Sequence, residues 1–219
     1  MEVMETTKNT RTEKVGGLKR TNVVLLTQMA LLTAIIILMA YTPLGYLRTG
    51  VVEITFIVVP VAVGSVLLGV KAGAFLGLVF GLTSFAQCFG MSPFGTLLLS
   101  AKPFATAFCC IVPRILVGVV PALVYQGMTK LCKKRVINIA AACVLAPITN
   151  TVLYLTCMTA FFHDYMVQAY EYTGEGGIAF LGWLFAFVAV NAIAEAASCL
   201  LIASAICNAL WNITNHQKR

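Results

Sequence analysis

One fully charged side chain, Arg114, lies near the middle of an apolar run that covers residues 104–125. At a rise of about 1.5 Å per residue, a helix places Arg114 roughly 15 Å from the start of that run. That position is close to the midplane of a hydrocarbon core about 30 Å thick, where a guanidinium costs about 2.5–3.5 kcal/mol. We interpret Arg114 as a group that binds a carboxylate of a ligand, with a structural contact to a neighbouring helix as the alternative. Pro113, directly before it, weakens the helix at this point.

Two asparagines lie at a similar depth in the next two apolar runs. Arg114 is ten residues from the outer end of its run, Asn150 is twelve and Asn191 is thirteen. Because three successive helices each carry a polar group at one depth, we predict that Arg114, Asn150 and Asn191 form one shared binding site. The alternative is that each asparagine makes a single hydrogen bond between helices.

Two further charged residues extend this candidate substrate-binding site. Glu195 follows Asn191 by one helical turn, so both side chains project from the same face. In one alternative, its carboxylate neutralises Arg114, and Asn150 and Asn191 then bind the ligand. In the other, it stands apart from Arg114, which is then available for an acidic ligand. The sequence leaves both alternatives open. Lys102 lies at the outer mouth, where it either steers an anion inward or is a solvated loop residue.

The composition is that of an integral membrane protein. Of the 219 residues 60% are hydrophobic and 11% are charged, with a mean hydropathy of +0.92, whereas a soluble domain carries about 25% charged residues. We predict an all-α membrane domain over residues 23–210, with a polar tail over 1–22 and a basic tail over 211–219. Its six transmembrane helices are expected at Val23–Tyr41, Val51–Leu68, Ala72–Phe85, Phe104–Tyr125, Val136–Phe162 and Ile178–Leu210. Residues 86–103 are expected to form an outer connection with a partly buried turn around 94–99, and residues 163–177 a polar loop.

The positive charges set the expected orientation. Twelve of the 15 Lys and Arg residues fall on the side that holds both termini, two fall on the other side, and Arg114 is embedded. The positive-inside rule therefore places the N- and C-termini in the cytoplasm. The net charge of +7 does not indicate nucleic-acid binding, because the basic residues flank hydrophobic runs.

The sequence lacks the residue patterns that several kinds of enzyme and cofactor site require. The two histidines, His163 and His216, lie outside the expected spans, and Asp164 is the single aspartate. No zinc-binding HExxH motif and no phosphate-binding GxxxxGK[ST] loop occurs. The eight cysteines form no CxxC pattern and are interpreted as small hydrophobic residues in helices. We therefore expect no catalysis, no metal and no cofactor, and a function in binding or transport.

Small residues at a spacing of four mark two helix-packing faces. Helix one carries Ala30 and Ala34, a weak pattern, and helix three carries Gly73, Gly77 and Gly81, a stronger one. Such spacing lets another helix approach closely.

With these positions placed, the sequence resembles the substrate-binding S components of energy-coupling factor (ECF) vitamin transporters, and is most similar to the pantothenate branch. The resemblance covers about residues 23–210. It rests on an ordered set of matches: Ala30-x-x-x-Ala34, Pro60–Gly64 followed by Leu68-Gly69, Gly73–Phe85, Val112–Gly118, Thr149–Thr151, and Asn191-x-x-x-Glu195.

This resemblance implies a bundle that binds a vitamin from outside, beneath the loop between helices one and two. It implies that Arg114, Asn150 and Asn191 hold the carboxylate, hydroxyl and amide groups of pantothenate. It also implies that the face with Ala30 and Ala34 docks on a membrane coupling subunit driven by two cytoplasmic ATPase subunits, and that the bundle rotates against that subunit to release the vitamin.

Two other functions remain open at this point. The first is a stand-alone secondary transporter of a small organic anion, which inverted repeats would indicate, although the sequence shows none. The second is a membrane scaffold without a ligand, in which Arg114 would serve stability or assembly.

Overall fold

The computed structural model describes residues 23–42, 45–49, 52–169, 189 and 191–216. Within these ranges the chain is helical apart from one small two-stranded hairpin. The elements are α1 (Val23–Ala40), β1 (Tyr46–Thr49), β2 (Val52–Thr55), α2 (Val58–Leu68), α3 (Val70–Gln87), α4 (Pro93–Ala101), α5 (Pro103–Leu131), α6 (Arg135–Ala169) and α7 (191–216).

Five of these helices are long and apolar enough to cross a membrane, which confirms a helical membrane protein. They are Val23–Ala40, Val70–Gln87, Pro103–Leu131, Arg135–Tyr165 and Asn191–Leu210. A further apolar helix, α2, has only 11 residues, about 16 Å, or half of the hydrocarbon core.

The expected start of helix two at Val51 is wrong. Residues 46–55 form an antiparallel hairpin in which Tyr46 pairs with Thr55, and the helix begins at Val58. The physical reason is local: Val52, Ile54 and Thr55 are β-branched residues, which favour strands. Glu53 therefore lies in a strand, opposite Arg48 in the register, and not in the first turn of a helix.

The expected outer connection over 86–103 is more regular than a loop. It contains α4, whose N-cap is Ser92: the Ser92 hydroxyl accepts a hydrogen bond from the Gly95 N–H at 3.1 Å. Gly95 and Leu98 are buried, as the predicted partly buried turn requires.

Helix α6 extends to Ala169, beyond the predicted end at Phe162. The tail before residue 23, the rest of the 163–177 loop and most of the predicted start of helix six lie outside the described residues.

The glycine spacing of α3 marks its contact with α5. A β-carbon on Gly73 would overlap the carbonyl oxygen of Gly118, and one on Gly77 would overlap the carbonyl oxygen of Arg114. At Gly81 it would lie 2.9 Å from the α-carbon of Ile111. The predicted packing face is therefore confirmed, and its partner is the backbone of the helix that carries Arg114.

Helix α2 lies at the centre of the bundle. It contacts α3, α5, α6 and α7, and its residues from Val58 to Val66 are buried. The Ser65 hydroxyl donates to the Gly118 carbonyl at 2.7 Å and so ties α2 to α5. Gly69, at φ +88°, allows the sharp turn between α2 and α3.

Helix α7 contains a π-helical turn at Cys199–Ala203, one turn after Glu195. Cys199 and Ala203 on this turn are buried against the core. A π turn widens a helix locally and so changes which side chains face the neighbouring helices on either side of it.

Candidate functional site

A cavity opens at the end of the bundle where α3 ends, α5 begins and α6 approaches its end. Its empty volume is about 460 Å³, part of it open to solvent. Arg114 lies in its wall, together with α4 at the rim. The lining residues are Ser84, Gln87, Cys88, Ser92, Phe94, Gly95, Leu98, Thr106, Cys109, Cys110, Arg114, Tyr154 and Met158.

The backbone of α5 holds the guanidinium of Arg114. Its Nη1 donates a hydrogen bond of 2.7 Å to the carbonyl oxygen of Cys109. In an unbroken helix, that carbonyl would accept from the N–H of residue 113. Pro113 has no N–H to give, so the carbonyl of Cys109 is left for the arginine that follows the proline.

Two aromatic rings flank the same guanidinium. Arg114 Cζ lies 5.7 Å from the ring centroid of Phe80 on α3 and 5.3 Å from that of Tyr154 on α6. Both distances fall within the range of a cation–π interaction. Arg114 also makes contacts beyond these. The side chain is half-buried, so the rings replace part of the hydration that it loses.

Most of the polar cavity wall could not be found from the sequence. Ser84, Ser92, Thr106 and Tyr154 supply hydroxyl groups, and Gln87 supplies an amide. The Gln87 Nε2 donates to the Ala40 carbonyl, which joins the ends of α3 and α1. Serine and threonine are common in membrane helices, so their presence alone gave no signal. Gln87, an amide at the end of an apolar helix, was the one available hint.

A second polar cluster surrounds Glu195, which is 1% exposed. The Nδ2 of Asn150 on α6 donates to Glu195 Oε2 at 3.4 Å, a long hydrogen bond. The Asn191 side chain and the backbone N–H of Thr55, at the end of the hairpin, also act electrostatically on this carboxyl. Its second oxygen, Oε1, is buried and accepts no hydrogen bond within the described residues. The loop between α1 and α2 therefore reaches into the bundle and meets α6 and α7 at Glu195.

Arg114 and Glu195 carry opposite charges inside the described part of the bundle and are within electrostatic range of each other. The Arg114 guanidinium and the Glu195 carboxyl attract each other electrostatically. The hydrogen bonds described above, however, run from Arg114 to Cys109 and from Asn150 to Glu195. Asn150, Asn191 and Glu195 thus form one cluster, and Arg114 is within electrostatic range of its carboxyl. Of these four predicted site residues, only Arg114 lines the described cavity.

Lys102 does not line the described cavity. It is exposed, lies between α4 and α5, and donates from Nζ to the carbonyl oxygen of Phe161 on α6 at 2.8 Å. The rings of Phe108 and Phe161 meet edge to face beside it, with centroids 5.6 Å apart. Lys102 therefore joins α5 to α6 at the cavity end of the bundle.

The paired alanines of α1 lie on an exposed surface. Ala30 and Ala34 are both exposed, as is most of α1.

Of the cysteines, six of eight are buried, which agrees with their interpretation as small hydrophobic residues. Cys88 and Cys110, two cavity-lining thiols, have 3.9 Å between their sulfur atoms.

The structure defines a helical membrane protein with a polar cavity inside the bundle. The family model described as ECF transporter, substrate-specific component, matches residues 24–207. The chain therefore belongs to this family. It is a multi-pass protein of the cell membrane and a transporter component, not an enzyme.

Two curated proteins are similar to this chain over most of its length. The "Pantothenic acid transporter PanT" of Lactococcus lactis subsp. cremoris is 33% identical over 75% of this chain and 81% of its own length. The "Pantothenate transporter PanT" of Leuconostoc mesenteroides subsp. mesenteroides is 32% identical over 81% of this chain and 87% of its own length.

Proposed function

We propose that this protein is the pantothenate-binding subunit of an ATP-driven ECF-type importer. The observation that carries the proposal is Arg114, a cation within the long apolar helix α5 that lines a polar cavity. Pantothenate carries one carboxylate, two hydroxyls and one amide, which match a guanidinium among hydroxyl and amide side chains. The names of the two relatives support the same substrate.

The carboxylate binds at Arg114. A guanidinium has five N–H donors in a planar fork, and the hydrogen bond to Cys109 uses one of them. The rings of Phe80 and Tyr154 stabilise the cation in its orientation. Asn150 and Asn191 bind the hydroxyl and amide groups, and the cavity hydroxyls of Ser84 and Thr106 extend the polar surface. Lys102 contributes a positive charge near the mouth that attracts the anion.

The substrate enters from outside. The cavity lies at the end of the bundle opposite Lys71 and the basic segment 130–135, since α3 and α6 begin at one end and reach the cavity near the other. Basic loops face the cytoplasm, so both termini are cytoplasmic and the chain crosses six times. The hairpin and α2 together make the second crossing, because non-helical backbone is tolerated at membrane depth where protein covers it. Thr55 and Val58 are buried accordingly.

Energy for import comes from partner subunits. The exposed face of α1 with Ala30 and Ala34 docks on a membrane coupling subunit, because small residues let a second helix approach closely. Two cytoplasmic ATPase subunits drive that coupling subunit. Rotation of the bundle against it carries the bound vitamin to the inner side.

The experiment is thermal stabilisation of the full-length protein in detergent against a panel of water-soluble vitamins. A ligand that binds the folded state raises the midpoint of unfolding by mass action. We expect a shift with pantothenate, loss of that shift in Arg114→Ala, and retention in Lys130→Ala, which removes an exposed charge at the opposite end. A shift with another vitamin and none with pantothenate would overturn the substrate. A well-folded protein that shows no shift across the whole panel would contradict the binding function.

A further inference from the structure

We propose that Glu195 is a positioning residue that turns the amide oxygens of Asn150 and Asn191 toward O–H and N–H groups of the substrate. This inference rests on the proposed function and deepens it. It assigns Glu195, a residue of the candidate substrate-binding site, a role behind the ligand-binding groups.

The first step is the direction of the amide groups. An ionised carboxylate only accepts hydrogen bonds, whereas an asparagine amide donates from its nitrogen and accepts at its oxygen. Asn150 Nδ2 donates to Glu195 Oε2, and the Asn191 side chain interacts with the same carboxyl. The amide nitrogen of Asn150 therefore faces Glu195, and its oxygen Oδ1 does not. For Asn191 we infer the same direction from its interaction with this carboxyl.

The second step is what those oxygens lack. Asn150 Oδ1 and Asn191 Oδ1 are buried and accept no hydrogen bond within the described part of the chain. Asn150 as a whole is 8% exposed. Buried acceptors without a partner are rare in folded proteins and point to an absent partner. A ligand that offers hydrogen-bond donors at this depth would supply it.

The third step is the chemistry of that ligand. Pantothenate has two hydroxyl hydrogens and one amide hydrogen to donate, so the two asparagine oxygens suit its non-acidic part. Its carboxylate goes to Arg114, whose charge also attracts Glu195. Without such a role, a carboxyl group so close to an anionic substrate would be expected to weaken binding by repulsion. Glu195 is 1% exposed and accepts from Asn150 at Oε2, so we infer that it lies behind the residues that meet the substrate. Its second oxygen, Oε1, accepts no hydrogen bond within the described residues.

The test uses the full-length protein in detergent, with binding of radiolabelled pantothenate and of an analogue in which both hydroxyls are replaced by hydrogen. Glu195→Gln presents either an oxygen or a nitrogen to each asparagine, so it no longer fixes their direction. We expect Glu195→Gln to weaken pantothenate binding at least tenfold and analogue binding less than threefold. A merely structural role would weaken both by the same factor.

A paired variant keeps the test decisive where Glu195→Gln is unstable. In Asn150→Asp/Glu195→Gln the carboxyl group moves to α6, the hydrogen bond forms in the opposite direction, and one buried carboxyl group is kept. The introduced aspartate still offers an oxygen away from residue 195, so we expect pantothenate affinity within threefold of the unsubstituted protein.

Two results would overturn the inference. One is failure of this swap to bind pantothenate in a protein with an unchanged unfolding midpoint. The other is an equal loss of binding for both ligands in Glu195→Gln. Absence of pantothenate binding to the unsubstituted protein would instead contradict the proposed function.

Discussion

Arg114 donates a hydrogen bond of 2.7 Å to the carbonyl oxygen of Cys109, five residues earlier on its own helix. The proline between them is the reason that this carbonyl can accept, since Pro113 cannot donate to it. One helix irregularity thus frees the backbone acceptor that anchors the cation. The glycines of α3 pack against the α5 backbone at Arg114 itself, so the depth of Arg114 is fixed as well.

Replacement of Pro113 by alanine tests this anchor. The alanine has an N–H that competes for the Cys109 carbonyl, so the hydrogen bond from the Arg114 guanidinium to that carbonyl is weakened. We expect pantothenate affinity to fall about three- to tenfold, the equivalent of about 0.7–1.4 kcal/mol, while the unfolding midpoint stays the same or rises. Pro121→Ala, the other internal proline of α5, is the matched control. Equal effects of both substitutions on pantothenate binding would contradict the anchor.

Gly77 is predicted to control the position of Arg114 through the backbone. A β-carbon at this residue would overlap the Arg114 carbonyl oxygen, so Gly77→Ala forces α3 and α5 apart. Overpacking of this kind costs about 1–3 kcal/mol, and we expect a lower unfolding midpoint together with weaker pantothenate binding. Gly127→Ala is the control, because a β-carbon added there would meet no atom within 4 Å. A Gly77→Ala protein as stable as the Gly127→Ala protein would refute the close contact.

The ring of Tyr154 is expected to matter more than its hydroxyl for holding the cation. A cation–π contact of a partly desolvated arginine contributes about 0.5–2 kcal/mol, and the ring centroid lies 5.3 Å from Arg114 Cζ. Tyr154→Leu should therefore weaken pantothenate binding about two- to thirtyfold, and Tyr154→Phe should stay within about threefold. Isothermal titration of both variants measures the difference. A loss in Tyr154→Phe as large as in Tyr154→Leu would assign the effect to the hydroxyl instead.

Substitutions on α1 should separate import from binding. Ala30→Leu and Ala34→Leu add bulk to the exposed surface proposed to meet the coupling subunit. We expect pantothenate uptake by cells to fall at least fivefold while the purified protein keeps its affinity. Gln28→Leu adds bulk to an exposed position about 160° around the helix from Ala30, and should leave uptake intact. Normal uptake by cells that carry either leucine variant would exclude this face of α1 from the interface.

The candidate residues of the deep polar cluster could be selected from the sequence because a charge or an amide inside an apolar helix is conspicuous. Counting residues from the expected helix ends predicted one depth for Arg114, Asn150 and Asn191. In the structure, Asn150, Asn191 and Arg114 all act on the carboxyl of Glu195, and their shared role in binding stays a prediction. The glycine spacing of α3 likewise predicted a packing face, although it could not name α5 as the partner.

Other features depended on long-range geometry. The hairpin was missed because the stretch 51–55, although rich in β-branched residues, runs directly into an apolar helix and shares its hydropathy. The cavity wall of Ser84, Thr106 and Tyr154 was missed because small hydroxyl residues and aromatic rings are ordinary in membrane helices. The role of Pro113 required knowledge of where the Arg114 side chain turns.

The most direct test of the central claim compares pantothenate with pantothenol, its analogue with an alcohol in place of the carboxylate, on the unsubstituted protein and on Arg114→Gln. If Arg114 binds the carboxylate, the unsubstituted protein prefers pantothenate at least tenfold. Arg114→Gln then loses that preference while its affinity for pantothenol changes by less than threefold. The same preference for pantothenate in both proteins would contradict the assignment of Arg114 as the carboxylate-binding residue.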